Sequence, residues 1–264
     1  MSKKLQLLCM AAILLLTALF SGCGPTGAKT ETGDKKPVRY LRVVVHADSA
    51  PFAYMDVNAK DFNGFDIDII NAVAKEMGCR LKMHHTYFDG LPVALKEGKA
   101  DVAISAITIN DRRKGVVTFS KPYYHSGLIL LVKKDEKAIR STDDLAGKTV
   151  GVEGGSTAEH YAAGLKSCKV KGYDGNGSTM IALSNGSIDA VICDRPFADY
   201  VIAHEKFGQK IKKTGELLTN EEYGIAVKKG NNELAEEINA ALNKLKQNGV
   251  YDKIYKEWFD RASN

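Results

Sequence analysis

The residues best suited to chemistry are a threonine and an arginine that follow one short apolar segment. Residues 102–107 are apolar and rich in β-branched side chains, which predicts a buried strand. Thr108 ends this strand, and Asn110 is a favourable N-cap for a brief helical turn that carries Arg113. A guanidinium beside a hydroxyl and free backbone N–H groups can hold a carboxylate through two parallel hydrogen bonds. The alternative is a surface arginine in a basic run.

A second group of candidate residues lies in the later half of the chain. Residues 153–157 form a glycine-rich loop that leads into a predicted helix, whose free N–H groups favour an anion. The loop lacks the spacing of a nucleotide P-loop, and a purely structural turn is the alternative. Asp194 directly follows a buried apolar strand, where a carboxylate can meet an ammonium group in a cleft. An N-cap role for Asp194 is compatible with this.

Alternating strand and helix patterns place these residues at strand ends. Short apolar runs predict strands, and apolar stripes at helical spacing predict the helices between them. The predicted strands are residues 41–45, 80–85, 102–107, 127–133, 149–152, 186–193 and 223–228, and the predicted helices are residues 64–77, 91–96, 158–165, 174–185, 195–203, 234–245 and 251–259. This alternation predicts an α/β protein with doubly wound, largely parallel sheets.

The amino-terminal residues have the pattern of a targeting segment. Lys3 and Lys4 precede an apolar run at residues 5–20, which is too short for an ordinary transmembrane helix. Small residues then lead to Cys23, so residues 1–22 resemble a lipoprotein signal peptide that leaves Cys23 as the lipidated terminus. Plain secretion and an uncut anchor are the alternatives. Residues 23–36 are polar and glycine-containing, which predicts a disordered tether.

Composition argues against nucleic acid and metal as partners. Without residues 1–22 the chain has 35 basic and 32 acidic residues, and this mild, scattered charge does not favour nucleic acid. Cys79, Cys168 and Cys193 lack metal-ligand spacing, and the six histidines are dispersed, so no metal or other cofactor is expected. Cys168 and Cys193 could pair if their strands adjoin, although buried thiols are the commoner arrangement.

The order of motifs resembles the polar amino-acid family of bacterial extracellular solute-binding proteins (family 3), the receptors of ABC importers. The matching motifs are G-K-A-D-V-A-I at residues 98–104, T-I-N-D-R-R at 108–113, F-S-K-P-Y-Y at 119–124 and D-A-V-I-x-D at 189–194. The resemblance implies a two-lobed clamshell of the periplasmic-binding-protein type II, with two doubly wound sheets joined by two crossover strands. The implied first lobe is residues 37–126 and 224–264, the second lobe is residues 127–223, and the hinges fall near residues 127–133 and 223–228.

The resemblance also implies a site for a free amino acid between the lobes. Arg113, six residues before Phe119, would grip the α-carboxylate together with Thr108, with help from Ser156 and Thr157. Asp194 would take the α-ammonium group. The other implied contacts of the ligand are Asp48, Phe52, Tyr54, Ala106 and Glu153.

The ligand side chain is predicted from the acids near it. Glu153 would lie beside that side chain, and an acid there favours a cationic, arginine-like ligand because an unpaired carboxylate is costly in a closed cleft. Asp48 could add a second negative charge, and Tyr54 or Phe52 could cover a guanidinium face. The alternative is that Glu153 pairs with a lysine outside the cleft, which leaves a neutral pocket for glutamine or cystine.

The implied protein is a monomeric receptor, lipid-anchored on the extracytoplasmic face of the cell membrane, that delivers its amino acid to the membrane permease of an ABC importer. The same fold also resembles the cyclohexadienyl dehydratases, but no nucleophile–base pair with recognisable spacing is visible. A sensor domain would need a membrane span and an output module beyond Phe259.

Overall fold

A computed structural model describes residues 38–56 and 61–260 of the chain. The predicted signal peptide, tether and lipidation site at Cys23 therefore lie outside the described residues. None of the helices in the described part combines the length and the apolar character needed to cross a bilayer.

Fifteen strands and eight α-helices form the described part of the chain. The strands are β1 Arg39–Val45, β2 Asp48–Ser49, β3 Ala53–Asp56, β4 Asp61–Asn63, β5 Cys79–His85, β6 Val102–Ala103, β7 Val117–Phe119, β8 Tyr124–Ser126, β9 Leu128–Lys133, β10 Thr149–Glu153, β11 Lys169–Tyr173, β12 Ala190–Asp194, β13 Ile211–Thr214, β14 Glu221–Tyr223 and β15 Ala226–Lys228. The helices are α1 Phe65–Glu76, α2 Leu91–Lys96, α3 Asp111–Lys114, α4 Thr157–Gly164, α5 Asn176–Ser184, α6 Arg195–His204, α7 Asn232–Gln247 and α8 Val250–Phe259.

The first lobe is built on a five-stranded sheet in the order β5-β1-β6-β15-β7. β1 pairs in parallel with both β5 and β6, whereas β15 runs antiparallel to its neighbours. Val43 and Val45 of β1 are fully buried against Phe65 and Ile69 of α1. Apolar residues of α7 and α8 join the same core, so the carboxyl-terminal helices return to the first lobe as predicted.

The second lobe repeats this architecture in the order β11-β10-β12-β9-β13. Here β10 pairs in parallel with β11 and β12, and β9 lies antiparallel between β12 and β13. One face of the sheet packs on α4 and the other on α5 and α6, through separate clusters of buried apolar side chains. Two helix-covered sheets of this kind agree with the predicted α/β, two-lobed class.

The two lobes are joined through a small separate sheet in which β8 pairs antiparallel with β14. The predicted crossover segments adjoin this small sheet, since residues 127–133 directly follow β8 and residues 223–228 begin with the last residue of β14. Both segments continue into interior strands of the large sheets, β9 and β15. The apolar run in β9 is buried core, whereas β8 carries the polar His125 and Ser126. The position of the hinges stays a prediction.

Two predicted strands are longer than the observed ones. The strand predicted at residues 102–107 pairs only at Val102 and Ala103, because the chain leaves the sheet before Ala106, which has a positive φ of 49°. The strand predicted at residues 186–193 begins only at Ala190, since Gly186 forms a turn with φ of 74°. The unpaired residues 104–107 form a mostly buried loop, whereas Gly186 and Ser187 lie exposed in a turn before the second strand.

Gly64 is required where α1 begins. Its φ is 132°, and a Cβ atom there would lie 2.0 Å from the carbonyl oxygen of Phe52. Gly78, after α1, also has a positive φ, 65°, but a Cβ there would meet nothing within 4 Å. A side chain at either position would strain the backbone, but only at Gly64 would it also overlap a neighbouring atom.

We expect Gly64→Ala to lower the free energy of unfolding by about 3 kcal/mol or more, because strain and overpacking add. Gly78→Ala, the matched control, should lose only about 1–2 kcal/mol from the left-handed backbone. Urea unfolding followed by circular dichroism measures both. Equal losses would contradict the packing argument at Gly64.

Candidate functional site

The site forms where the two sheets bring their switch points together. In each sheet one strand, β1 or β10, has parallel neighbours on both sides, and the connections to these neighbours leave in opposite directions. Open α/β sheets bind ligands at such points, outside the carboxyl ends of the strands. The segments after β1, β6, β10 and β12 meet there.

A narrow cavity of about 10 Å³ lies between these strand ends. That volume is about what one water molecule requires, so the side chains of the two lobes are in close contact across the cleft. The residues lining it are Ser49, Phe52, Phe88, Ser105, Ala106, Thr108, Arg113, Glu153, Ser156, Thr157, Asn176, Asp194, Phe197 and Tyr223. Eight of the ten predicted ligand contacts are among them.

Arg113 enters the cavity from the short helix α3. The Asn110 side chain caps α3 by accepting a hydrogen bond from the Arg113 N–H at 2.9 Å, as predicted. The guanidinium donates to the carbonyl oxygens of Thr108 at 3.0 Å and of Gly155, in the other lobe, at 3.1 Å. It also lies over the Phe88 ring at 5.0 Å.

No carboxylate of the described residues forms an ion pair with Arg113, although the residue is largely removed from water. Burial lowers the pKa of Arg113 from its ordinary value, and the more distant charges of Asp194 and Glu221 counteract this only in part. The guanidinium remains a cation across the physiological range, since an arginine does not deprotonate in proteins. The arrangement therefore favours an external anion.

Glu221, on the joining strand β14, is a site residue that sequence reasoning missed. One of its oxygens, Oε2, accepts hydrogen bonds from the hydroxyls of Thr108 at 2.6 Å and Thr157 at 3.0 Å. These two hydroxyls come from different lobes, so the Glu221 carboxylate bridges the cleft beside the hinge. The Thr108 and Thr157 hydroxyls, which were predicted to bind the ligand carboxylate, thus donate to the carboxylate of Glu221 in this structure.

Asp194 ends β12 and faces the cavity from the second lobe. Its side chain does not cap α6, although the residue occupies the N-cap position. Its Oδ1 atom is shielded from solvent and accepts no hydrogen bond from the described residues. Burial, followed by the negative charge of Glu221, raises the pKa of Asp194 to about 7, while the Tyr223 hydroxyl and Arg113 oppose the rise. An entering cation would supply the missing partner.

A buried aspartate in α1 shapes the loop that carries Ala106. Asp66 is fully buried; it accepts from the Ala106 N–H at 2.7 Å and from the Tyr123 hydroxyl at 2.7 Å. Burial raises the pKa of Asp66 to about 7, which those two hydrogen bonds partly offset. Ala106 is the single described non-glycine residue with a positive φ, and Asp66 holds it in that conformation beside Thr108.

Glu153, at the end of β10, is buried in the cleft with 5% of its surface exposed. Its Oε1 lies 3.0 Å from Nε2 of His46 in the first lobe, and its Oε2 accepts from the Asn176 amide at 3.1 Å. The alternative in which Glu153 pairs with a lysine outside the cleft does not hold in this arrangement, because its partners are a histidine and an asparagine.

Of the remaining predicted ligand contacts, Phe52 lines the cavity, whereas Tyr54 and Asp48 do not. Phe52 lines the cavity and also belongs to the core, where its ring lies 5.0 Å from that of Tyr124. Tyr54 is not among the lining residues, and it packs on Trp258 at 6.1 Å. Asp48 is exposed at the cleft edge, next to Gly175 at the start of α5.

Ser156 serves local structure as well as the cavity. Its hydroxyl accepts from the Glu159 N–H at 3.1 Å and donates to the Glu153 carbonyl at 2.6 Å, so it caps α4. The Ser156 side chain therefore has the purely structural role that was the alternative for this loop, since both its hydrogen bonds are to nearby backbone groups. The adjacent Thr157 is the residue of this loop whose hydroxyl reaches the Glu221 carboxylate.

Several lining residues had no distinct signal in the sequence. Asn176 and Tyr223 enter the site through the assembly of the two lobes, and nothing in their local sequence indicates it. His46 offered one signal, its position directly after β1, where a strand end meets a switch point. Within residues 38–56 and 61–260 no cluster of three or more potential ligands could hold a metal, and Cys79, Cys168 and Cys193 are free thiols.

Comparison with known proteins identifies close relatives. The model of the bacterial extracellular solute-binding proteins, family 3, matches residues 41–261. The chain is 36% identical over 251 residues to the arginine-binding periplasmic protein of Mannheimia haemolytica, covering 92% of this chain and 97% of the relative. It is 34% identical over 256 residues to a probable histidine-binding protein of Neisseria gonorrhoeae, covering 95% and 94% of the two chains.

A solved structure shows the same fold. An ancestral arginine-binding protein bound to glutamine is 43% identical, with a TM-score of 0.78, and the match covers 83% of this chain and 97% of that one. The likeness confirms the predicted class, a two-lobed clamshell of the periplasmic-binding-protein type.

The raised pKa of Asp194 predicts how stability depends on pH. The folded pKa of about 7 lies above the unfolded value near 3.8, so the folded state keeps a proton that the unfolded state has lost. The free energy of unfolding should therefore fall as pH rises from about 4 to 7. In Asp194→Asn this decline should be smaller, and at pH 8 the variant should be about 1–3 kcal/mol more stable than the parent.

Urea unfolding at pH 4, 6 and 8 measures the effect. The matched control is Asp135→Asn, at an exposed turn, which should keep the parent's pH profile. An Asp194→Asn profile parallel to the parent's would show that the carboxylate is not destabilised by burial.

Proposed function

The chain belongs to family 3 of the bacterial extracellular solute-binding proteins, and on that premise we propose that it is a receptor for one free polar amino acid. The observation that carries the proposal is a pair of opposite charges in one cavity: the Arg113 guanidinium lacks a carboxylate partner, and Asp194 Oδ1 lacks a donor among the described residues. A zwitterion carries both missing partners. Its carboxylate would bind Arg113, and its ammonium group would bind Asp194.

The carboxylate side of the site combines charge with directed donors. Arg113 is anchored by its bonds to the carbonyls of Thr108 and Gly155, which fix the guanidinium plane without neutralising it. Thr108 and Thr157 offer hydroxyls that now serve Glu221. A ligand carboxylate would share or take over these donors, and charge-assisted hydrogen bonds of this kind are about twice as strong as neutral ones.

Ligand binding would close the two lobes on each other. We assign residues 37–126 and 224–264 to the first lobe and 127–223 to the second, with bending in β8 and β14. Arg113 belongs to the first lobe and Asp194 to the second, so one bound zwitterion bonds both. Because only a difference in affinity between two states can shift their populations, a ligand held by both lobes favours the closed form. A membrane permease of an ABC importer would recognise that form.

The ligand side chain would lie near Glu153, whose buried carboxylate favours a cationic group such as that of arginine. The names of the relatives support this, since they include an arginine-binding and a probable histidine-binding protein. Glutamine and cystine are the alternatives, and the ancestral arginine-binding protein whose structure was solved with glutamine supports the first of them.

A binding role accounts for the site better than catalysis does. The relatives reported above are named as binding proteins. Arg113 and Asp194 are matched to the two charges of an amino acid, and neither is hydrogen-bonded to a nucleophile in the described residues. We therefore propose a monomeric receptor without enzymatic activity.

The receptor would act on the extracytoplasmic side of the membrane, where its family is described as working. Residues 1–22 would be a lipoprotein signal peptide, Cys23 the lipidated terminus and residues 23–36 the tether. Lipidation would keep the receptor near its permease, although a single acyl chain binds a membrane only weakly and stable anchoring takes more than one.

Cys23→Ser in the native bacterium should abolish lipid attachment, so the protein would stay uncut or be released. Mass spectrometry of the membrane fraction checks this. Cys9→Ser, within the predicted signal peptide, is the control and should leave processing unchanged. An unmodified wild-type protein beginning downstream of Cys23 would contradict the proposal.

Titration calorimetry of the domain from Lys36 onward against the twenty amino acids tests the receptor function directly. Arg113→Ala should weaken the binding of any amino acid by roughly 2–5 kcal/mol, because the ligand carboxylate is left unpaired in a desolvated site. The exposed neighbour Arg112 provides the matched control, and Arg112→Ala should change little. Equal losses in the two variants would show that Arg113 is not the carboxylate site, and no binding by the parent would remove the receptor function.

A further inference from the structure

The contact between His46 and Glu153 is the most deeply buried charged contact between the lobes. Their side chains are 2% and 6% exposed, and Nε2 of His46 lies 3.0 Å from Oε1 of Glu153. The contact is an ion pair rather than a hydrogen bond, because neither atom has a partner of hydrogen-bond geometry in the described residues. His46 follows β1 in the first lobe and Glu153 ends β10 in the second, so the pair closes the cleft beside the cavity.

The partners of His46 determine how many protons the pair holds. Nδ1 lies 3.1 Å from the Thr86 carbonyl oxygen, which can only accept, so Nδ1 carries a hydrogen. Nε2 faces a carboxylate oxygen at 3.0 Å, and this contact is attractive only if Nε2 also carries a hydrogen, which makes the imidazole a cation. His46 therefore carries one proton more than a neutral imidazole, and the imidazolium and the carboxylate together are neutral.

The surroundings of His46 favour this state. Burial opposes a charged imidazole, but the close contact with the negatively charged Glu153 outweighs burial, and the pKa of His46 is raised. Asp48 adds a smaller raising effect. On the other side the His85 ring stacks at 5.7 Å and accepts a hydrogen bond from the Ala47 N–H through Nδ1, so His85 does not compete as a second cation.

The remaining charges near the pair belong to the cavity. Arg113 and Asp194 line it together with Glu153, and both are committed to the ends of the proposed zwitterion. The Asn176 amide donates to the second oxygen of Glu153 and does not titrate. The Phe88 ring, 6.2 Å from that of His46, adds no charge. The hydrogen on Nε2 of His46, which faces Glu153, thus controls the net charge of the pair beside the ligand side chain.

We propose that the His46–Glu153 pair sets the ligand's side-chain preference by exchanging this proton for a cationic side chain. With the proton in place the subsite is neutral and accepts an uncharged polar side chain, such as that of glutamine. A cationic side chain replaces the proton, which leaves Glu153 negative, His46 neutral and one H⁺ in solution, so charge is balanced. This inference rests on the proposed amino-acid receptor and identifies His46 as a specificity-determining residue.

The inference predicts a pH dependence that differs between two ligands. Arginine should bind more tightly as pH rises, by up to about tenfold per pH unit relative to glutamine, since one proton leaves for each arginine bound. Glutamine should not exchange this proton. Any titration of Asp194 affects both ligands alike, because both present the same ammonium group, so the ratio of the two affinities isolates the pair.

Calorimetric titration of the domain with arginine and with glutamine, at pH 5.5, 6.5 and 8.0, makes the measurement. Repeating each titration in two buffers of different ionisation enthalpy counts the protons released. We expect close to one more proton released with arginine than with glutamine at pH 5.5. Equal proton counts and a constant affinity ratio would overturn the proposal.

The variant His46→Gln tests whether the released proton comes from His46, because an amide nitrogen can still face Glu153 but does not titrate. In this variant the affinity ratio should no longer change with pH, and arginine should gain most at pH 5.5. Glu153→Gln should remove the preference for arginine at every pH. The exposed His84 supplies the control, and His84→Gln should behave as the parent does.

Two outcomes separate this inference from the receptor function. If no amino acid binds at any pH, both fail. If glutamine binds but arginine binds neither the parent at pH 8.0 nor His46→Gln, the receptor function stands and the proton exchange is wrong. The proton count in the parent decides the inference even if a variant does not fold.

Discussion

The cleft depends on two opposite charges that the protein removes from water without pairing them. Arg113 is fixed by carbonyl oxygens, which orient a guanidinium but do not neutralise it, and Asp194 Oδ1 has no donor in the described residues. Leaving such groups unpaired costs folding free energy, since each buried charge prefers a counterion or water. A molecule that carries both complementary charges recovers that free energy in binding. Local instability in the cleft and affinity for a zwitterion therefore have one physical origin.

The same contacts couple the site to the arrangement of the lobes. Glu221 joins Thr108 of the first lobe to Thr157 of the second, and Arg113 reaches the Gly155 carbonyl across the cleft. These bonds converge near β8 and β14, the short strands that connect the two sheets. The side chains that meet across the cleft therefore also lie close to the small sheet that connects the two lobes.

Buried carboxylates in this protein serve different purposes according to their partners. Asp66 has two donors, the Ala106 N–H and the Tyr123 hydroxyl, and it fixes a strained loop. Glu153 lies 3.0 Å from Nε2 of His46 and accepts a hydrogen bond from the Asn176 amide, so its partners come from both lobes. Asp194 is left without a donor on Oδ1. The partner, rather than the depth of burial, determines which carboxylate is structural and which can bind a ligand.

Local patterns in the sequence predict the fold class, most helices and strands, and the positions of Arg113 and Asp194. Apolar runs and helical stripes are local properties, and Arg113 and Asp194 follow such runs directly, so both could be placed at strand ends. The tertiary structure decided the rest. The small sheet that joins the lobes is formed by β8 and β14, Tyr54 packs on Trp258, and Glu221, Asn176 and His46 enter the cleft. Most of these features depend on contacts between residues far apart in the chain, such as Thr108 and Glu221, which are 113 positions apart, and no local pattern encodes which distant side chain fills a cleft.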